Sequence, residues 1–276
     1  MTAALCAALV AGLATASGTA VATAAGSVLT IDGSYDFNGN GSTGVLTVSN
    51  AEGGSPAVTM AYRGLATEYD SGSWNAASGT LTVYRPLTGG AGQSYTLYLG
   101  GHNPASPVLG GYFTESDTGT RRFGAFADDY VPLDVTRPPA APAPVNGTGS
   151  AVPVVTPGTS LPSGLPAYYS FDGNGWDGEF LMLPLNSGTS IGAYVQMYYN
   201  DLGTWQVLTN YSWNAATSTL TLVRPLSSGA TQTYTLYLGT NDPATPMFGG
   251  YFTESDTPGA HYAAYAVYDP LAGHGG

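Results

Sequence analysis

The chain has 276 residues, 43% apolar and only 9% charged, with 39 Gly, 20 Tyr, 19 Pro and a formal net charge of −12. Such a composition favours short strands and tight turns over helices, and so acidic a surface repels phosphate backbones and anionic headgroups, so neither nucleic acid nor membrane is an expected partner. All six basic residues are Arg, which excludes Schiff-base and lysine-nucleophile chemistry.

Residues 1–26 are apolar and small and end in Ala22-Thr23-Ala24 before Ala25-Gly26. They read as a secretory signal peptide cleaved near Ala24, although no Lys or Arg precedes the apolar run. The expected location is extracellular. The only cysteine, Cys6, falls inside this segment. The mature chain then holds no disulfide, as is common in exported bacterial proteins, and its cores must stabilise it unaided.

From residue 27 the chain reads as strands. The segments 33–37 and 44–48 flank Asn38-Gly-Asn-Gly41 and form a hairpin. Further strands are expected at 57–62, 69–76, 80–85, 93–99, 109–115 and 122–127, giving eight, with Gly-, Pro- or Asn-containing connections and no helical period. Residues 131–165 are Pro-rich without apolar periodicity and read as a semi-extended linker. The plan then repeats over 166–270, before a short tail at 271–276. Residues 73–118 and 212–257 are identical at roughly two-thirds of positions, so the chain is a duplication. The expected fold is all-β: two tandem eight-stranded antiparallel up-and-down barrels joined by the linker, closure removing the exposed edges. Each unit carries its own strand set and is expected to fold by itself.

Alternation assigns faces. Leu81, Val83 and Arg85 share a side, as do Gln93, Tyr95 and Leu97, and Leu109, Phe113 and Glu115. The aliphatic side is the inner one. Arg85, Gln93 and Glu115 therefore point inward near a barrel end, and Arg224, Gln232 and Glu254 do so in the second unit.

The stretch 33–48, GSYDFNGNGSTGVLTV, is similar to the start of a streptavidin-type barrel, and the Gly/Thr/Tyr-rich meander of about a hundred residues resembles the avidin and streptavidin family of calycin-type barrels. The resemblance implies the barrel. The family lines its biotin site with several tryptophans, whereas this chain has Trp74, Trp176, Trp205 and Trp213, of which Trp74 and Trp213 alone correspond between units. Biotin is not carried over.

No catalytic apparatus stands out. Asp117-Thr118-Gly119 matches the aspartic-protease triplet, but the second unit has Asp256-Thr257-Pro258, and those enzymes need a carboxylate from each lobe. Asp172, Asn174 and Asp177 are spaced faintly like a calcium loop without its closing Glu. His102, His261 and His274 have no counterparts between units, so no metal or cofactor is expected. The constellation that remains is Trp74, Arg85, Gln93, Tyr95 and Glu115, with Trp213, Arg224, Gln232, Tyr234 and Glu254. It is either a packing device, an Arg closing a barrel end with Glu as counter-ion, or a site for a small molecule or glycan on an aromatic platform. The expected function is non-catalytic ligand binding by two homologous units, carbohydrate leading. The alternatives are a secreted hydrolase using Glu115/Asp117 and Glu254/Asp256, and a structural or inhibitory extracellular protein. Oligomeric state is left open by the sequence.

Overall fold

A computed structural model of the chain describes residues 30–62, 68–87, 89–133, 168–187, 190–200, 202–208, 210–239, 241–242 and 244–269. The expected signal segment (1–26), nearly all of the expected linker (131–165) and the tail (271–276) lie outside the described residues.

The first unit is β1 (Gly33–Gly39), β2 (Ser42–Ser49), β3 (Ala57–Tyr62), β4 (Glu68–Asn75), β5 (Thr80–Pro86), β6 (Gly92–Gly100), β7 (Val108–Glu115) and β8 (Phe123–Val131), each antiparallel to the next. Pairing of β8 with β1 closes the barrel. The β1–β2 turn has Asn40 at φ 56° and Gly41 at φ 90°, the two left-handed positions that a two-residue hairpin requires and that Asn-Gly supplies cheaply. One turn of 3₁₀ helix at Ala51–Gly53 is the only helical element among the described residues. Alternate residues of each strand fill the interior: Tyr35, Phe37, Leu46, Val48, Met60, Leu81, Leu97 and Phe113 are all buried.

The second unit is β9 (Tyr168–Gly173), β10 (Trp176–Ser187), β11 (Ser190–Tyr199), β12 (Trp205–Leu208), β13 (Asn210–Asn214), β14 (Thr219–Pro225), β15 (Thr231–Gly239), β16 (Met247–Glu254) and β17 (Tyr262–Tyr268). The sequence leads one to expect eight strands here, and there are nine. β12 and β13 are consecutive in the chain and together take the place of β4. β12 pairs with β11 and β13 with β14, which makes them the two edges of the sheet. Gln206 ties β12 to β14, the neighbour of the other edge: its Nε2 donates to Pro225 O (2.8 Å), and its Oε1 accepts from Arg224 Nε (2.8 Å).

The two barrels lie back to back. The outer faces of β6, β7 and β8 pack on those of β15, β16 and β17. Close approach of the backbones sets this seam. A Cβ on Gly249 would meet Ala125 N at 2.3 Å and O at 2.5 Å, and one on Gly110 would meet Ala264 N at 2.8 Å. Side chains there are absent because no room exists for them. Around the glycines the contacts follow a pseudo-two-fold plan. Tyr98 meets Tyr251 and Tyr112 meets Tyr237 (centroids 4.8 and 4.9 Å), with Phe126 stacked on Tyr265 at 4.3 Å and an interplanar angle of 4°. Arg122 lies over Tyr112 and donates to the Tyr237 hydroxyl at 2.8 Å. His261 takes the equivalent position against Tyr98 and Tyr251. Self-complementary pairing of equal patches is how two-fold dimers associate; here both patches belong to one chain.

The seam explains a burial pattern that alternation does not. Val108 to Gly111 and Phe123 to Ala127 are buried at every position, because one face meets the barrel's own core and the other meets its neighbour. The two units, each expected to fold by itself, pack on one another as a docked pair. With a protease site introduced between residues 140 and 160, the cleaved halves should still co-elute on gel filtration. Gly249→Val should separate them, since a β-branched side chain there collides with backbone rather than with movable side chains. Wild-type halves that part on cleavage would contradict the seam.

Candidate functional site

The inward polar residues come together as the alternation requires. In the ladders Arg85 faces Gln93, and Gln93 faces Glu115. Arg85 is buried (5% exposed), as is Gln93 (8%), whereas Glu115 is half-buried at the rim. Arg85 Nη1 and the Tyr95 hydroxyl both donate to Gln93 Oε1 (3.2 and 2.7 Å), and Gln93 Nε2 donates to Glu115 Oε1 at 2.7 Å. The Tyr95 proton is thereby committed, so the 2.8 Å contact between the Tyr62 and Tyr95 hydroxyls has Tyr62 as donor. Arg85 covers the Tyr62 ring at 4.5 Å.

The second barrel repeats this set. Arg224 Nη1 and the Tyr234 hydroxyl donate to Gln232 Oε1 (2.9 and 2.7 Å), Gln232 Nε2 donates to Glu254 Oε1 (2.7 Å), Tyr199 and Tyr234 share a hydroxyl contact of 2.6 Å, and Arg224 lies over Tyr199 at 4.5 Å. The glutamine acts as an adaptor, its oxygen turned to the cation and its amide nitrogen to the carboxylate. The oxygen and the nitrogen of the amide are both thus used where an unmet buried polar group would cost about 1–3 kcal/mol. Burial pushes the Tyr62 and Tyr234 hydroxyls up to about 12 and holds Tyr95 and Tyr199 well above the ordinary tyrosine value. All four hydroxyls keep their protons at neutral pH and remain donors.

Two residues expected in this constellation are elsewhere. Trp74 pairs with Leu81, and Trp213 with Leu220, four residues up the strand from Arg85 and Arg224, or about 13 Å at the usual rise. Both indoles are buried in the cores. The polar set and these tryptophans occupy opposite halves of each barrel.

What faces solvent at the polar end of the second barrel is a recess of about 130 Å³. Arg224, Gln232 and Glu254 line it, together with Gly173, Asn174, Trp176, Tyr199, Leu202 and Phe252. Trp176, Tyr199 and Phe252 are the aromatic members, and repeat comparison overlooks Trp176 because the first unit has Ser42 there. Of the carboxylates weighed for other chemistries, Glu254 lines the recess, and Asp117, Asp256 and Asp172 are not among its lining residues. Asp117 and Asp256 are exposed in turns, and Asp172 accepts Gly175 N–H at 2.8 Å, capping the turn that leads into Trp176.

Asp172 and Asp128 stand beside the seam. Burial raises Asp172 to about 6, against the pull of the Gly175 N–H, with repulsion from Asp177 adding to the rise. Burial, aided by repulsion from Asp129 and Asp36, raises Asp128 to about 7, although a hydrogen bond with Tyr265 opposes it. In the unfolded chain both titrate near 3.9. The folded state therefore favours the protonated forms. Their stabilising effect is fullest below about pH 4 and is lost as pH rises through the folded values of 6 and 7. The melting temperature should fall between pH 5 and 8, and Asp128→Asn should reduce that fall. A wild-type melting temperature flat across this interval would count against the buried placement.

No protein-family model matches the chain, and no curated protein matches it by sequence. The fold and the recess geometry define the class: an all-β protein of two antiparallel barrels, each closed at one end by an Arg–Gln–Glu–Tyr network.

Proposed function

We propose that the chain is an exported, non-catalytic binding protein of avidin-like barrel type whose second-barrel recess takes a small neutral polar ligand, a sugar ring foremost. The supporting observation is the joint presence of Arg224 and Glu254 beside Trp176, Tyr199 and Phe252. One cation and one carboxylate together disfavour a charged ligand of either sign. They suit hydroxyl groups, which accept from Arg and donate to Glu, while ring faces lie on aromatic side chains. The volume points the same way. The recess is about 130 Å³, below the roughly 300–1,000 Å³ usual for drug-sized ligands. Export is proposed from residues 1–26 alone. Among the described residues no helix is long and apolar enough to cross a membrane.

A second reading has its own support. The same network stands in both barrels, as expected of an end plug that neutralises a buried Arg. Glu254→Gln separates the two, because it keeps volume and one acceptor while removing charge. For a binding carboxylate, a glycan array on the full chain gives a hit whose affinity falls about tenfold or more in the variant, at temperatures where both proteins stay folded. For a plug, the array is blank and the variant melts lower. Hydrolysis of a bound polysaccharide by wild type, lost in the variant, would replace the binding reading with an enzymatic one.

A further inference from the structure

Although the chain is a duplication, its two barrel mouths differ where a ring would stack. The second barrel has Trp176, immediately after the Asn174–Gly175 turn. The first has Ser42, immediately after Asn40–Gly41. A second difference lies in the ladder: the position opposite Met197 is Gln206, whereas that opposite Met60 is Glu68. Gln206 Oε1 accepts from Arg224 Nε at 2.8 Å.

Trp176 is also held from the other barrel. Its ring stacks on His102 at 3.4 Å between centroids, tilted by 24°. His102 N–H donates to Asn174 O at 3.0 Å, and Gly101 N–H donates to Asn174 Oδ1 at 3.0 Å. The loop after β6 thereby fixes the turn that carries two of the recess residues, Asn174 and Trp176. The symmetry-equivalent loop does the same to the first barrel with different chemistry. Asn241 N–H donates to Asn40 O (2.8 Å), and Asn241 Nδ2 donates to Ser42 Oγ (3.3 Å). An imidazole-on-indole stack in one half is an amide-to-hydroxyl contact in the other.

From this we infer that the chain carries one sugar-stacking site rather than two, built in the second barrel around Trp176, with His102 of the first barrel as its positioning residue. The inference rests on the binding reading above and deepens it. The first barrel then serves as the site's outer wall: it sets the plane of the indole, one face of which it occupies, so that the remaining surface is presented to the recess at a fixed angle. A stack fixed before binding spares the ligand the cost of ordering the side chain.

The full chain labelled with 5-fluorotryptophan gives one fluorine signal for each of Trp74, Trp176, Trp205 and Trp213, assignable by single substitutions. Titration with glucose, galactose, mannose and N-acetylglucosamine should move the Trp176 signal and leave Trp74 in place, and calorimetry with the sugar that binds should give one site per chain. His102→Ala should weaken that sugar about two- to tenfold, the cost of ordering one side chain on binding, at temperatures where the variant stays folded, and His102→Phe should restore it. Two sites per chain, or a Trp74 shift matching that of Trp176, would overturn the inference while leaving sugar binding intact. Unchanged affinity in His102→Ala would remove the positioning role. If none of the four sugars moves any signal, the binding reading fails and the inference with it.

Discussion

The seam between the barrels exists because two glycines let backbone meet backbone. Gly110 and Gly249 occupy matching places on β7 and β16, and a Cβ on either would enter the opposite barrel's main chain. Tyr98, Tyr112, Tyr237 and Tyr251 close around this line, and Arg122 and His261 sit on the rings. The approach also brings the loop after β6 within reach of the turn before Trp176, and the loop after β15 within reach of Asn40. The placement of the recess rim thus follows from an absence of side chains some way off. A larger residue at either glycine would hold the barrels apart and release both loops.

Inside each barrel the governing constraint is a buried guanidinium. Arg85 and Arg224 are 5% and 7% exposed, and a charge so placed is tolerated only when its donors are met. Glutamine meets them at one remove from the acid, so the carboxylate of Glu115 or Glu254 stays at the rim instead of following the Arg inward. That arrangement closes the barrel end and leaves a half-exposed carboxylate at the surface of the closure. In the second barrel an open recess lies above it. The same network stands in both halves, and under the proposed function it also meets a ligand in the second.

Much of this was legible in the sequence, and the limits have physical causes. A period of two assigned Arg85, Gln93 and Glu115 to the interior because strand side chains alternate strictly. Register within the β5–β6–β7 meander then placed them side by side. The tyrosines that complete the network, Tyr62 and Tyr199, lie on strands not adjacent to β6 or β15, so they meet it only across the barrel's interior, which no local pattern encodes. Recurrence singles out Trp74 and Trp213, yet recurrence also marks core residues, and both indoles are buried in the cores. Trp176 has no counterpart in the first unit, where Ser42 stands, so the repeat gives no sign of it. Gly110, Gly124 and Gly249 are each a point of contact between barrels. A small residue facing outward carries no sign of what covers it.

The central claim is that each barrel's loop is docked on the other, which hydrogen exchange of two backbone amides tests directly. His102 and Asn241 lie in exposed loops, and both N–H groups donate across the seam, to Asn174 O and Asn40 O. An undocked loop amide exchanges at close to the rate of an open chain, whereas one bonded inside a stable interface waits for that interface to open. The account predicts that both amides are protected to a degree comparable with the central residues of β7 and β16. Exchange at open-chain rates for both, with the strands themselves protected, would show that the barrels fold without holding each other and would contradict it.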